Sequence, residues 1–317
     1  MIPLIKVVRP VNLLIIALTM YSIAWYFDTL IVLSGWDGQM LGFPFFILVL
    51  STVLIAAAGN VINDYFDQKA DRINRPKRVI VGREIKRRTA IFYHWVFNLI
   101  AFFMAVCLSW LFSSFWYLFI HLLSINLLWF YSMYLKRTSV AGNISIAFLT
   151  ALVPILVGIF YNQTIERGVL TDYFPMVFEE LADYPIWMTL ALGVFAFALN
   201  WSREVVKDIQ DIEGDRKLRA RTLPIVKGIK FAKIISLLIL LLPILLFGLA
   251  FFLWYENHIR SEVAFFPLIF AAIILLVSIG LVSVANTPDQ FKRAHLAIKV
   301  TMIFGLLLPM FWAFLMW

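Results

Sequence analysis

Cysteine is nearly absent from this chain. Its single thiol, Cys107, lies in an apolar run, so no internal disulfide can form and no thiolate cluster can hold a metal. A free cysteine in such a setting is packing material. Histidine is almost as sparse: His94, His121, His258 and His295 are scattered, with no HExxH or HxxxH spacing. Zinc and haem sites therefore have no ligand set to draw on. Charge is scarce too. Asp, Glu, Lys and Arg make up 15% of the 317 residues, where a soluble domain carries about 25%. There is no low-complexity segment. The apolar N-terminal stretch lacks a small-residue cleavage pattern and is expected to be a span, not a removable signal.

What replaces charge is hydrophobic surface, at 62% of residues and a mean hydropathy of +0.89. That excess is too large for one water-surrounded core, and it suits helices of about 20 apolar residues each in lipid. Nine apolar segments can be read, at approximately 11–33, 43–63, 91–111, 115–134, 141–161, 185–206, 232–254, 264–285 and 297–317. Backbone groups in hydrocarbon must be satisfied within the segment, so each is expected to be a helix. The fold class is therefore all-α, a multi-pass membrane protein with one transmembrane domain over residues 1–317. The net charge of +8 is distributed as a topology signal. Of the 27 lysines and arginines, only Arg167 and Arg260 fall in loops on one side of the nine spans. The positive-inside rule puts the crowded side, with the N-terminus, in the cytoplasm and the C-terminus outside. The positive balance thus requires no nucleic-acid partner. The expected surroundings are the lipids of the cell membrane.

Two short stretches carry chemistry. At the cytoplasmic end of the second span, Asn60 precedes Asp64, Asp67 and Asp71, which on a helix form one stripe. At the end of the sixth span, Asp208, Asp211 and Asp215 repeat the i, i+3, i+7 spacing. Like-charged carboxylates on one face repel unless a cation sits among them. Hard oxygen ligands suit Mg²⁺, which is commonly shared between carboxylates and substrate phosphates. One triad alone reads equally well as a solvated helix end. Two matching triads at one membrane face, each among basic residues, point to a bound, metal-bridged diphosphate. Arg75, Lys77, Arg78, Arg83, Lys136 and Arg137 are the nearby cations suited to a phosphate leaving group. Lys207 adjoins the second triad in the same way.

These residues resemble the UbiA superfamily of intramembrane prenyltransferases. Asn63-Asp64-Tyr65-Phe66-Asp67-Gln68-Lys69-Ala70-Asp71 fits the NDxxDxxxD signature of that family, and Asp208, Asp211 and Asp215 fit its DxxDxxxD signature. Arg9-Pro10 matches an early Arg-Pro. The resemblance implies nine helices around a central cavity that opens sideways to lipid. It also implies Mg²⁺ held by Asp64, Asp67, Asp71, Asp208, Asp211 and Asp215, the residues expected to be catalytic. Asn60, Asn63, Arg78, Lys136 and Lys207 are the expected substrate contacts. The substrates it implies are a prenyl diphosphate and a lipid-soluble acceptor. Within the superfamily, Asn74-Arg75-Pro76 and the stretch from Arg203 to Ile225 look most like the geranylgeranylglyceryl phosphate geranylgeranyltransferase branch. The chain departs from the family pattern at Val79, where Arg-Pro is usual after the basic loop, and in the five-residue step from Tyr131 to Lys136.

Two other readings stay open at this point. One is the same chemistry on an aromatic acceptor, as in quinone or haem O synthesis. The other is a transporter, since carboxylates in membrane proteins mark ion pathways. Pro154 and Pro243 do interrupt spans, but the carboxylates cluster at one surface and not at the midplane expected of a transporter site.

Overall fold

The computed structural model describes residues 3–33, 42–68, 72, 79–164, 184–217, 219–256 and 266–316. Among them nine helices are long and apolar enough to cross a membrane. In chain order the helices are α1 (Pro3–Val8), α2 (Pro10–Leu33), α3 (Phe43–Phe66), α4 (Arg87–Leu111), α5 (Trp116–Met133) and α6 (Ala141–Thr164). They continue with α7 (Tyr184–Gln210), α8 (Ile212–Lys217), α9 (Leu223–Lys227), α10 (Ile229–Glu256), α11 (Phe266–Val284) and α12 (Pro288–Met316). Among the described residues there is no named strand, only one isolated bridge between Val81 and Ile85.

The spans agree with the expected segments, but several run longer. Helix α12 starts at Pro288 and α4 at Arg87, and α7 continues to Gln210. Hydropathy locates where the hydrocarbon ends. Hydrogen bonding carries the helix on past that limit, and the chemistry-bearing residues ride on these extensions.

Six of the nine spans line one internal cavity: α2, α3, α5, α6, α7 and α12. The other three pack outside this ring. Helix α4 lies against α3 and α5, while α10 and α11 lie against α7 and α12. Lipid-facing positions are correspondingly apolar, with Trp110, Leu245 and Leu276 well exposed.

Van der Waals fit holds the ring, because lipid tails give no hydrophobic drive to bring helices together. The α6–α7 contact is the closest case. A Cβ on Gly158 would sit 1.8 Å from Thr189 Oγ1 and 2.9 Å from the Pro185 carbonyl, so only glycine lets these backbones approach. Deep in the bundle, away from the basic end, Met20, Phe27, Phe45, Leu48, Tyr117, Phe160 and Tyr161 form a continuous apolar core. A second core of Phe195, Leu199, Leu240, Leu275, Ile298 and Met302 joins α7 to α10, α11 and α12.

Candidate active site

Both aspartate stripes lie at the same end of the bundle, at the basic end of the cavity. The first begins on α3, which ends at Phe66 with Asp67 as its αR C-cap residue. The second straddles a break: α7 ends at Gln210 and Asp215 belongs to α8. The helical register nevertheless survives it. The amide of Asp211 donates to the Lys207 carbonyl at 2.9 Å, and that of Asp215 to the Asp211 carbonyl at 3.1 Å. Asp208, Asp211 and Asp215 therefore keep their common face. Asp71 and Arg78, with Asn74, Arg75, Pro76 and Lys77, lie outside the described residues.

The first bank has counter-ions of its own. Arg9 Nη2 binds Asp64 Oδ1 at 2.5 Å. The Lys136 ammonium pairs with Asp67 and donates to Asn63 Oδ1 at 3.0 Å. Asn63 Nδ2 in turn donates to Asp67 Oδ2 at 2.9 Å.

Local structure aims each cation. Arg9 sits between α1 and α2 with φ at 57°, a left-handed conformation that is uncommon for a side-chain-bearing residue. Helix α1 is tied down immediately before it. Val7 is buried against Val61, Val81, Ile85 and Ala90, and Asn60 Nδ2 donates to the Val8 carbonyl at 2.9 Å. Asn60 thus anchors the segment carrying Arg9 while also lining the cavity. Lys136 rides on a 3₁₀ turn, Leu135–Arg137. Gly142 at the start of α6 approaches that turn so closely that a Cβ would lie 2.5 Å from the Leu135 carbonyl oxygen.

The second bank is steadied differently. Asn143 on α6 donates to Asp208 Oδ2 at 2.8 Å. Lys207 does not pair with the triad; its ammonium donates to Glu204 Oε2 at 3.0 Å. Glu204 is buried and also accepts from Arg203 Nη2 at 2.5 Å. Asp215 has its pKa raised from 3.8 to about 6, first by burial and next by Asp211, while Lys136 and Lys207 oppose the shift and Asp67 of the first bank adds to it. The two banks therefore share one mouth.

The cavity beneath has a volume of about 320 Å³. Its upper wall is polar, with Arg9, Asn63, Lys136, Arg203, Lys207 and Lys299. Its lower wall is apolar, with Ile16, Ile120, Leu149, Val153 and Leu156. Such a shape takes a ligand with a charged head and a hydrocarbon tail. A larger opening, of about 740 Å³, lies where α4 meets α5, among Phe112, Ser113, Phe115, Trp116 and Gln163. It has no titratable lining residue and is remote from the aspartates.

Among the described residues no three His, Cys, Asp or Glu side chains converge on a single metal position. That donor set still fits Mg²⁺, which is typically held by one or two carboxylates with substrate phosphates and water completing the shell. A hydrated cation shared between a bank and a phosphate needs no cage made by protein alone.

Reading the sequence singled out the aspartates but not Arg9, Asn143, Arg203, Glu204 or Lys299 as site residues. The signals for Arg9 and Glu204 were present: an Arg-Pro step before a helix, and a carboxylate flanked by cations at i−1 and i+3. Nothing local marks Asn143 or Lys299.

Residues 24–315 match the UbiA prenyltransferase family. A digeranylgeranylglyceryl phosphate synthase of Methanosphaera stadtmanae is 30% identical over 301 residues, 95% of each chain. Among solved structures, one of a digeranylgeranylglyceryl phosphate synthase superposes with a TM-score of 0.69 at 21% identity, covering 98% of this chain and 97% of that one. A UbiA homologue from Archaeoglobus fulgidus, bound to DMAPP and Mg²⁺, superposes with a TM-score of 0.57 at 16% identity over 96% and 98% of the two chains.

Proposed function

Because the chain belongs to the UbiA prenyltransferase family and is a multi-pass membrane enzyme of prenyl transfer, we propose that it moves a geranylgeranyl group from its diphosphate to geranylgeranylglyceryl phosphate, with Mg²⁺ as its metal. The observation that carries this reading is the facing pair of aspartate banks above an apolar cavity, with Asp215 within electrostatic reach of Asp67. The relatives support the acceptor: the Methanosphaera stadtmanae protein is a digeranylgeranylglyceryl phosphate synthase.

In this reading Asp64, Asp67 and Asp71 of the first bank and Asp208, Asp211 and Asp215 of the second would hold the metal that binds the diphosphate. Bound there, Mg²⁺ neutralises charge that builds on the departing diphosphate. Lys136 and Arg9 are the chain's own stand-ins. Each is paired with a bank aspartate, and a metal bound to that carboxylate would free it for phosphate oxygens. Asn63 and Lys207 would contact the phosphates, and Arg78 is a further expected contact. The hydrocarbon tail runs down between Ile16, Leu149 and Leu156, which exclude water from the allylic carbon. The acceptor hydroxyl oxygen bonds to that carbon, the carbon–oxygen bond to diphosphate breaks with its electrons on the diphosphate, and the hydroxyl proton leaves to solvent or phosphate. The basic end of the bundle, with the N-terminus, faces the cytoplasm.

Mass spectrometry of products tests the acceptor. Purified protein offered geranylgeranyl diphosphate, Mg²⁺ and a choice of acceptors is expected to make a dialkyl ether lipid from geranylgeranylglyceryl phosphate and little from 4-hydroxybenzoate. Efficient prenylation of the aromatic acid, with no ether lipid, would move the chain to the quinone-forming members.

A further inference from the structure

The cations of the cavity's upper wall fall into two sets. Arg9 and Lys136 are each paired with an aspartate at the rim. Arg203, Lys207 and Lys299 gather instead on the α7–α12 side, around buried Glu204. Glu204 accepts from Arg203 and Lys207 together, so its one charge serves two cations. The Lys299 ammonium donates to Asn12 Oδ1 at 3.3 Å, across from α12 to α2. Lys299 also lies within electrostatic reach of Arg203. Arg203 Nε is buried without a hydrogen-bond partner among the described residues. Lys207 also lies within electrostatic reach of Asp208, so three positive charges stand against two negative and leave a surplus of one beside an apolar cavity. Burying that surplus is unfavourable unless an anion joins it.

We propose that Arg203 and Lys299, set in place by Glu204 and Asn12, bind the phosphate of the lipid acceptor. The assignment rests on the phosphorylated glycerolipid being the acceptor. An anionic phosphate monoester answers that surplus, and the unpartnered Arg203 Nε and the Lys299 ammonium supply donors to it. Arg203 precedes Asp208 by five residues on α7, about 7.5 Å along the axis. The phosphate thus sits one and a half turns deeper than the metal bank. A glycerol backbone spans that offset, which puts its free hydroxyl beneath the donor diphosphate, at the carbon to be attacked. Asn12 and Lys299 bridge α2 and α12, so these two helices also carry one wall of the acceptor's place.

Steady-state kinetics on the purified wild type and on Lys299→Gln test this, with geranylgeranylglyceryl phosphate compared against the same glycerolipid lacking phosphate. Glutamine keeps a donor for Asn12 and loses the charge. The wild-type preference for the phosphorylated acceptor is expected to fall about tenfold or more, the worth of one charge-assisted hydrogen bond. Lys299→Arg is expected to retain the preference, and the KM for geranylgeranyl diphosphate is expected to stay within about twofold. A raised donor KM with the acceptor preference intact would overturn the assignment and give these cations to the donor. No wild-type turnover on the phosphorylated acceptor would sink the acceptor reading and this assignment with it. Turnover by the wild type with an unaltered preference in Lys299→Gln would sink this assignment alone. Inhibition of the wild type by glycerol phosphate reads the same site without a variant: competition with the acceptor supports it, and competition with the donor contradicts it.

Discussion

At the scale of single residues, the candidate site is a set of carboxylates whose charge is only partly answered by the chain. Asp67 shows the arrangement best. Its partners are Lys136 and Asn63; Asp67 is buried but Lys136 is about one-third exposed, so in Asp67→Asn the ammonium can turn to water and the amide keeps a polar contact. Asp67→Asn is therefore expected to lower turnover on the order of 10²–10³-fold, the loss typical when a preorganised electrostatic contact to the transition state is removed. Its melting temperature in detergent should stay within a few degrees of the wild type. Retained activity would show that the first bank holds no metal, and joint loss of activity and folding would show that Asp67 is structural. Aspartates of this kind are legible in a sequence because their spacing is local: i, i+3 and i+7 on one helix. Their partners are not. Arg9 lies 55 residues from Asp64, and Lys136 lies 69 from Asp67. Only the folded ring brings them together, and no periodicity in one chain announces it.

At the scale of elements, the apolar periodicity gave the spans and their order, since lipid leaves helices no alternative. It did not separate the six cavity-lining helices from α4, α10 and α11, which are equally apolar but pack outside. That division depends on which faces carry small or polar residues toward a neighbour, as Gly158 does toward Thr189. The short connectors matter as much as the spans. The 3₁₀ turn bearing Lys136 is positioned by the absence of a side chain at Gly142. Gly142→Ala would force the Leu135 carbonyl away and take the Lys136 ammonium off its target. The expected result is a raised KM for the prenyl diphosphate in Gly142→Ala. In a Lys136→Gln background the same change should add almost nothing, because both act through one contact. Additive effects in this double-mutant cycle would place the role of Gly142 elsewhere.

At the scale of the whole molecule, a ring of helices carries charge at one end and hydrocarbon-like lining below it. This is the division that an amphipathic substrate drawn from a bilayer requires. Read from the sequence, all lysines and arginines except Arg167 and Arg260 are expected at that same end, so the site should open to the cytoplasm. Single cysteines at Gly38 and Thr171 are expected to react with an impermeant thiol reagent on intact cells, and one at Arg83 is not. Cys107, which is exposed on α4, must first be replaced. Labelling at position 83 alone would invert the orientation. The account stands or falls on whether the two aspartate banks act through a divalent cation. The most direct measurement is transfer from geranylgeranyl diphosphate by purified protein before and after chelation with EDTA, followed by Mg²⁺ readdition. Product formation is predicted to fall to background on chelation and to return with Mg²⁺. Undiminished transfer by the chelated protein would contradict it.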